Sequence, residues 1–159
     1  MILIYNHDDG DNDDEECEAV LPLTLIVTTE GCTAKIGNYV WLDENEDGIQ
    51  DNDEMGIPGV QVRLSQPDGA GGFVDVDATL TDDNGEYCFE VSAGDYKVTF
   101  VKPTDDYTVT TQDAGGDDTK DSDIDADMLM TPVITIGGAE SNLSLDAGFI
   151  LPCINLDFP

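Results

Sequence analysis

The sequence has very few positive charges. Lysine and arginine contribute 5 of the 159 residues, against 36 aspartate and glutamate residues, and the formal net charge is −31. Such a chain repels the phosphates of nucleic acids and the headgroups of acidic membranes, which excludes both as unaided partners. Self-repulsion also opposes folding, so we expect the folded chain to bind cations.

Histidine is almost absent, and the cysteines are dispersed. The single His7 and the lack of a C-x-x-C spacing argue against a zinc site, and no Ser–His or Cys–His pairing suggests a nucleophile. Carboxylate pairs say nothing about catalysis in so acidic a chain, so we expect no enzyme. An even cysteine count is typical of an oxidising compartment and allows two disulfides in three pairings. The candidates are Cys17, Cys32, Cys88 and Cys153.

Long apolar runs and helical periodicity are missing as well. The longest apolar run, AVLPLTLIV at 19–27, is too short to span a bilayer, so we expect no membrane insertion. Short runs rich in Val, Ile, Thr, Tyr and Phe alternate instead with Gly, Pro, Asn and Asp turns, which predicts an all-β, antiparallel β-sandwich. The predicted strands are 36–42, 58–65, 73–80, 86–91, 95–102, 107–112, 131–137 and 143–150.

An additional strand is predicted near the N-terminus. In VLPLTLIVTT, residues 20–29, Leu23, Leu25 and Val27 share one face. Pro22 places the start of this segment at a sheet edge or outside a sheet. The segment either packs on its own sandwich or adds to the open edge of a neighbouring copy, and the pattern does not decide between the two.

The segment DENEDGIQDNDE, residues 43–54, matches the calcium-loop pattern D-x-[DN]-x-[DN]-G-x5-E at every position. Calcium takes six to eight oxygen ligands, and alternate residues of a tight loop supply them. Strand-like residues and Gly56 and Pro58 flank the loop, which predicts a single stabilising site between strands instead of a helix–loop–helix sensor. The predicted ligands are Asp43, Asn45, Asp47, the Ile49 carbonyl, Asp51 and Glu54, with Gly48 at the turn.

Four stretches of the chain together resemble the B-repeat of serine-aspartate repeat surface proteins, the SdrD B-like domain. They are IGNYVWLDENEDGIQDNDEMGIPGVQVRL, TLTDDNGEYCFEVSAGDYKVTFVKP, DDTKDSDIDAD and LSLDAGFI, in the order of the family. The resemblance implies a calcium-stabilised, prealbumin-like or immunoglobulin-like sandwich over residues 35–150. It leaves an extension at 1–34 and a tail at 151–159.

The resemblance also implies more than one calcium ion and an extracellular, cell-surface location. It makes Asp121 and Asp123 ligands of a second site, with Asp117, Asp118 or Asp125 as further candidates. We expect a structural protein that assembles with copies of itself into a surface filament, tubule or layer, stabilised by Ca2+ and disulfides. The alternative is a monomeric spacer or ligand-binding module of an adhesin, for which the sequence identifies no host or matrix ligand.

Overall fold

The computed structural model describes residues 34–152, so the predicted strand at 20–29 and three cysteines, Cys17, Cys32 and Cys153, lie outside the described residues. Within the described range the chain forms nine short strands and no helix. No described helix is therefore long and apolar enough to cross a membrane. The strands are β1 (Ala34–Ile36), β2 (Val40–Leu42), β3 (Gln61–Pro67), β4 (Phe73–Leu80), β5 (Phe89–Val91), β6 (Gly94–Phe100), β7 (Thr108–Val109), β8 (Ile134–Ile136) and β9 (Ala147–Ile150).

The strands form three sheets that enclose one core, which confirms the predicted all-β sandwich. The largest sheet is antiparallel with the order β4-β3-β6-β8, and the other two have the orders β2-β9-β7 and β1-β5. Alternation along β3 and β6 sends Val62, Leu64, Val98 and Phe100 into the core. The pairing of β2 with β9 is parallel, an exception to the predicted antiparallel pattern.

The segment predicted as a single strand at 36–42 is two strands, because the chain changes partner within it. β1 pairs antiparallel with β5, whereas β2 pairs parallel with β9. Between them, the Gly37 N–H donates to Asn142 O at 3.1 Å and the Asn38 N–H donates to Leu145 O at 3.0 Å. The segment that leads into β9 therefore hydrogen-bonds with the backbone between β1 and β2. Because the chain changes its pairing partner there, the predicted strand is interrupted.

Side chains around Cys88 alternate between the core and solvent. Tyr87 and Phe89 are buried in the core, and Cys88 between them is exposed. The Tyr87 hydroxyl donates to Leu145 O at 2.7 Å, which ties this segment to the residues that precede β9. The acidic loops that follow β2 and β7 lie beside β9, and they carry the candidate metal ligands.

Candidate metal centre

Asp43 organises the predicted calcium loop from within. It follows directly on β2, and its side chain is buried. Asp43 Oδ1 accepts the N–H of Glu46 at 2.7 Å, and Oδ2 accepts the N–H of Gly48 at 2.8 Å. The Thr110 hydroxyl donates to the same Oδ2. A buried carboxylate with this many donors fixes the path of the loop backbone.

Three of the other predicted side-chain ligands, Asn45, Asp51 and Glu54, line a small open cavity of about 260 Å³. Asn45 Nδ2 donates to Asp47 Oδ2 at 3.0 Å and to Asp51 Oδ2 at 3.1 Å. Glu54 closes the loop, because Oε1 accepts the Glu44 N–H at 2.9 Å and Oε2 accepts the Asp51 N–H at 3.0 Å. The partly positive amide of Asn45 thus lies between two carboxylates, and as a calcium ligand this residue would present Oδ1 instead.

Gly48 is required at the sharp turn of the loop for two reasons. Its φ angle is +81°, which L side chains rarely adopt. A Cβ at this position would lie 2.7 Å from Ala114 Cβ and 2.8 Å from the backbone oxygen of Thr111. The loop therefore turns where it packs closely against the chain that follows β7.

The loop is joined by backbone pairing to a second acidic segment. Ile49 forms an antiparallel bridge with Asp121, and the Gln50 N–H donates to Lys120 O at 2.7 Å. The segment predicted to carry the second calcium site thus lies directly against the first loop. This contact links residues about 70 positions apart, which no local sequence pattern indicates.

Three aspartates, Asp113, Asp121 and Asp123, form what we call the aspartate cluster. Each offers a carboxylate oxygen, and these oxygens lie within 4.8 Å of one another. Asp121 and Asp123 are buried and Asp113 is exposed. The Asp113 N–H donates to Ser122 O at 3.0 Å, which holds the two segments of the cluster together.

A fourth aspartate, Asp146, lies beside the cluster, directly before β9, and is fully buried. Its N–H donates to Asp123 Oδ2 at 2.6 Å, and its Oδ1 accepts the Tyr39 N–H at 2.8 Å. Two buried carboxylate oxygens, Asp146 Oδ2 and Asp121 Oδ1, have no hydrogen-bond partner. No lysine or arginine among the described residues forms an ion pair with these aspartates, so their buried charge is uncompensated.

Burial and the neighbouring negative charges raise the pKa values of these aspartates. Burial raises the pKa of Asp146 to about 8, although the Tyr39 N–H lowers it and the charge of Asp123 adds to the increase. Burial likewise raises the pKa of Asp123 to about 7, and the charges of Asp118, Asp121 and Asp113 add to it. Burial also raises the pKa of Asp121. A divalent cation among these side chains would reverse the effect, because it favours the ionised form.

The donor set fits calcium. Two oxygens on opposite sides of a Ca2+ ion are about 5 Å apart, since each bond measures about 2.4 Å. The oxygens of the aspartate cluster, which all lie within 4.8 Å of one another, satisfy this limit. The unpartnered oxygens of Asp121 and Asp146 are hard ligands, which suit calcium better than soft transition metals.

The structure brings together only some of the residues predicted for the second site. Asp117 Oδ1 accepts the hydroxyl of Thr119 at 2.7 Å, and Asp125 Oδ1 accepts the N–H of Asp127 at 2.9 Å. These carboxylates cap local turns, and neither is part of the aspartate cluster. Asp118 is close enough for its charge to raise the pKa of Asp123, while its Oδ2 accepts the Ser144 hydroxyl at 2.9 Å.

The sequence did not predict a place in this region for two residues, Asp113 and Asp146. Asp113 precedes Gly115 and Gly116 and resembles an ordinary turn residue. Asp146 stands between Leu145 and Ala147, and this isolated carboxylate in an apolar strand was the available signal. The role of the residues that the sequence predicts as calcium ligands, in the segments 43–54 and 117–125, stays a prediction.

Comparison with known proteins identifies close relatives. The sequence profile of the SdrD B-like domain matches residues 34–149. Serine-aspartate repeat-containing protein F from Staphylococcus epidermidis is 40% identical over 122 residues, which cover 76% of this chain and 6% of that protein. Serine-aspartate repeat-containing protein C from Staphylococcus aureus (strain N315) is 44% identical over 115 residues, 72% of this chain and 11% of that protein. A fibrinogen-binding protein from Staphylococcus epidermidis is 47% identical over 89 residues, 55% of this chain and 8% of that protein.

Proposed function

The chain belongs to the SdrD B-like domain family, and on that premise we propose that it is an extracellular, calcium-stabilised structural module of a cell surface. We propose further that copies of the chain assemble into a filament, tubule or layer. The role is mechanical and not catalytic: calcium neutralises acidic loops, the sandwich becomes rigid, and the rigid unit is repeated.

The observation that carries the calcium proposal is the pair of buried, unpartnered oxygens, Asp121 Oδ1 and Asp146 Oδ2. A folded protein rarely leaves buried carboxylate oxygens without a donor or a cation. Protonation removes the charge of a buried carboxylate, and the raised pKa of Asp146 favours its protonated form. In a chain of net charge −31, a divalent cation removes more repulsion than one proton does.

The loop at 43–54 supports a second ion close to the first. Asp47 and Asp51 accept hydrogen bonds from the Asn45 amide, and Glu54 accepts the Asp51 N–H, in the order of the calcium-loop pattern. Because Ile49 pairs with Asp121, ions at the two sites would fasten the segments after β2 and β7 to each other. Binding energy at these sites then contributes directly to folding stability.

Calcium content tests the metal proposal. We expect at least two bound Ca2+ ions per chain after dialysis, measured by atomic emission. The variant Asp123→Asn should lose one, since it removes a charged ligand of the aspartate cluster. The control Asp117→Asn alters an exposed turn carboxylate outside the cluster and should lose none. A chain without bound calcium would refute the proposal.

The assembly proposal is supported by the strand-like segment at 20–29 and by the exposed thiol of Cys88. Electrophoresis with and without reductant, after incubation with calcium or with a chelator, tests it together with light scattering. A ladder that collapses on reduction would indicate disulfide-linked copies. Monomers under every condition, in both measurements, would contradict self-assembly.

The second candidate is a monomeric spacer or ligand-binding module of an adhesin. The matched relatives favour it, because their names denote serine-aspartate repeat proteins and, in one case, a protein that binds fibrinogen. The matched segment is a small part of each relative. Surface plasmon resonance against immobilised fibrinogen separates the cases, since saturable binding by a chain that stays monomeric would favour this second function.

A further inference from the structure

Strand β4 is exposed on both of its faces, unlike the strand beside it. Along β3, Val62 and Leu64 are buried in the core. Along β4, seven of the eight residues are exposed and one is half-buried. Val74 and Leu80 are 52% and 60% exposed, so apolar surface is left in solvent on the last strand of the sheet. The core therefore ends beneath β3, and β4 extends beyond it.

The outer edge of β4 is open. β4 is the end strand of its sheet, and β3 is its partner among the described strands. The register shifts between Leu64 and Ser65, which face Asp77 and Asp75, so Val76 lies opposite no residue of β3. The Ala78 N–H donates to Asp77 Oδ1 at 2.8 Å, a side-chain acceptor from its own strand. A long, partly apolar edge of this kind is a template for another strand.

We propose that this β4 edge is the docking site for residues 20–29 of a second copy of the chain. The inference rests on the proposed self-assembly and specifies its contact. Residues 20–29 would extend the four-stranded sheet by one strand, with main-chain hydrogen bonds along the edge and side chains over Val74, Val76 and Leu80.

The chemistry of the segment matches the chemistry of the edge. VLPLTLIVTT carries no charge, whereas β4 carries two carboxylates, Asp75 and Asp77, which would repel an acidic strand. An eight-residue strand is about 27 Å long, and ten extended residues cover it completely. Pro22 lies near the start of the segment, so its missing N–H costs at most one bond at the end of the ladder.

Charge complementarity adds to the match. Two of the five basic residues, Arg63 and Lys97, lie next to β4: Arg63 Nη1 is 3.8 Å from Asp75 Oδ2, and Lys97 Nζ is 4.7 Å from the centre of the Phe73 ring. The acidic run at 6–18 directly precedes the proposed docking segment. A segment docked parallel to β4 would therefore place its start, and the acidic run before it, beside this rare basic region.

A short linker favours a second copy over the chain's own edge. Residues 30–33 connect the segment to Ala34 and span at most about 18 Å when fully extended. Ala34 pairs with Val91, close to the start of β6, and β6 is two strands from β4. A strand docked beyond β4 would lie three strand spacings from β6, and with one layer spacing at right angles the distance is about 18 Å, which leaves the linker no slack. The edge of a neighbouring copy imposes no such limit.

Photo-crosslinking in the full chain tests the contact. A 14N chain with Val76→p-benzoyl-phenylalanine is mixed in equal amount with an unmodified 15N chain, incubated with calcium and irradiated. We expect crosslinks to residues 20–29, with 14N–15N and 14N–14N products in equal amounts. The matched control carries the same group at Val133, which is 50% exposed and outside β4, and should give no such crosslink.

Each other outcome overturns the proposal in a recognisable way. Crosslinks to 20–29 found only as 14N–14N products would show that the segment lies on its own chain. Assembly measured by light scattering without crosslinks to 20–29 would refute this edge while leaving self-assembly intact. Absence of any assembly would refute both.

A substitution test measures the same contact without a probe. The double variant Val74→Asp/Leu80→Asp should raise the dissociation constant of assembly about tenfold or more, because it removes two apolar contacts and adds repulsion. The control Val133→Asp/Leu143→Asp changes side chains of similar exposure elsewhere and should leave it unchanged. Equal dissociation constants for the two variants would contradict the proposal, and sedimentation velocity measures both.

Discussion

In the calcium-free protein, stability should fall as the pH rises from 5 to 7. Burial raises the pKa of Asp146 to about 8, from 3.8 for an ordinary aspartate. The folded chain therefore keeps a proton on Asp146 in this range, and the unfolded chain releases it. A carboxyl whose folded pKa is raised stabilises the fold fully below the unfolded pKa, and this contribution is lost as the pH approaches the folded pKa.

The size of the effect follows from proton linkage. Each proton released on unfolding lowers the unfolding free energy by about 1.4 kcal/mol per pH unit. Asp146 alone accounts for a loss of about 3 kcal/mol between pH 5 and pH 7, and Asp123, with its pKa raised to about 7, adds about 2 kcal/mol. Calcium should reverse the trend, because it binds the deprotonated carboxylates and binds them better as the pH rises.

Urea unfolding at constant salt measures this dependence, with the fluorescence of Trp41 as the probe. Trp41 is the only tryptophan and is fully buried, so its emission reports loss of the core. Asp146→Asn should reduce the pH dependence of the metal-free protein by about 3 kcal/mol over the range. The control Asp117→Asn should not change it, since hydrogen bonds from Thr119 lower the pKa of this exposed carboxyl. Stability that is flat or increases with pH in the absence of metal would refute the reasoning.

Two further substitutions test the packing of the loops. Asp43→Asn should lower the free energy of unfolding by about 3 kcal/mol in urea without calcium, because an NH2 group would face N–H and hydroxyl donors in a buried site. The control Asp53→Asn changes an exposed carboxylate and should stay within about 0.5 kcal/mol of the parent. Gly56→Ala should lower stability by about 3 kcal/mol, since a Cβ would lie 1.7 Å from Asn84 O. Gly138→Ala has open space and should be neutral within about 0.5 kcal/mol, so equal effects of the two glycine substitutions would contradict this packing.

The elements with strong local patterns could be predicted from the sequence. Strand β4 has the predicted bounds, and each other predicted strand overlaps at least one observed strand. The exception at 36–42 arises because Gly37 and Asn38 bond with the chain before β9, more than 100 residues away. Alternation within a strand reports which side chains face the core, but it does not report a change of pairing partner.

The two candidate sites also differ in how far apart their residues lie in the sequence. The candidate ligands of the loop at 43–54 lie within twelve residues of the sequence, so spacing alone predicts Asp43, Asn45 and Glu54. The aspartate cluster combines Asp113 with the segment around Asp121, and Asp146, directly before β9, lies beside it; these segments meet only in the folded chain. Asp125 looked equivalent in the alternating sequence but caps its own turn, because backbone N–H groups compete for short acidic side chains.

The most direct test of the central claim is the melting temperature, together with resistance to protease, measured with calcium and after its removal. We predict that removal lowers the melting temperature by about 10 °C or more and exposes the loops at 43–54 and 110–133 to cleavage first. Magnesium should restore little, because it demands a tighter octahedral site. An unchanged melting temperature and an unchanged cleavage pattern after calcium removal would contradict calcium stabilisation of this sandwich.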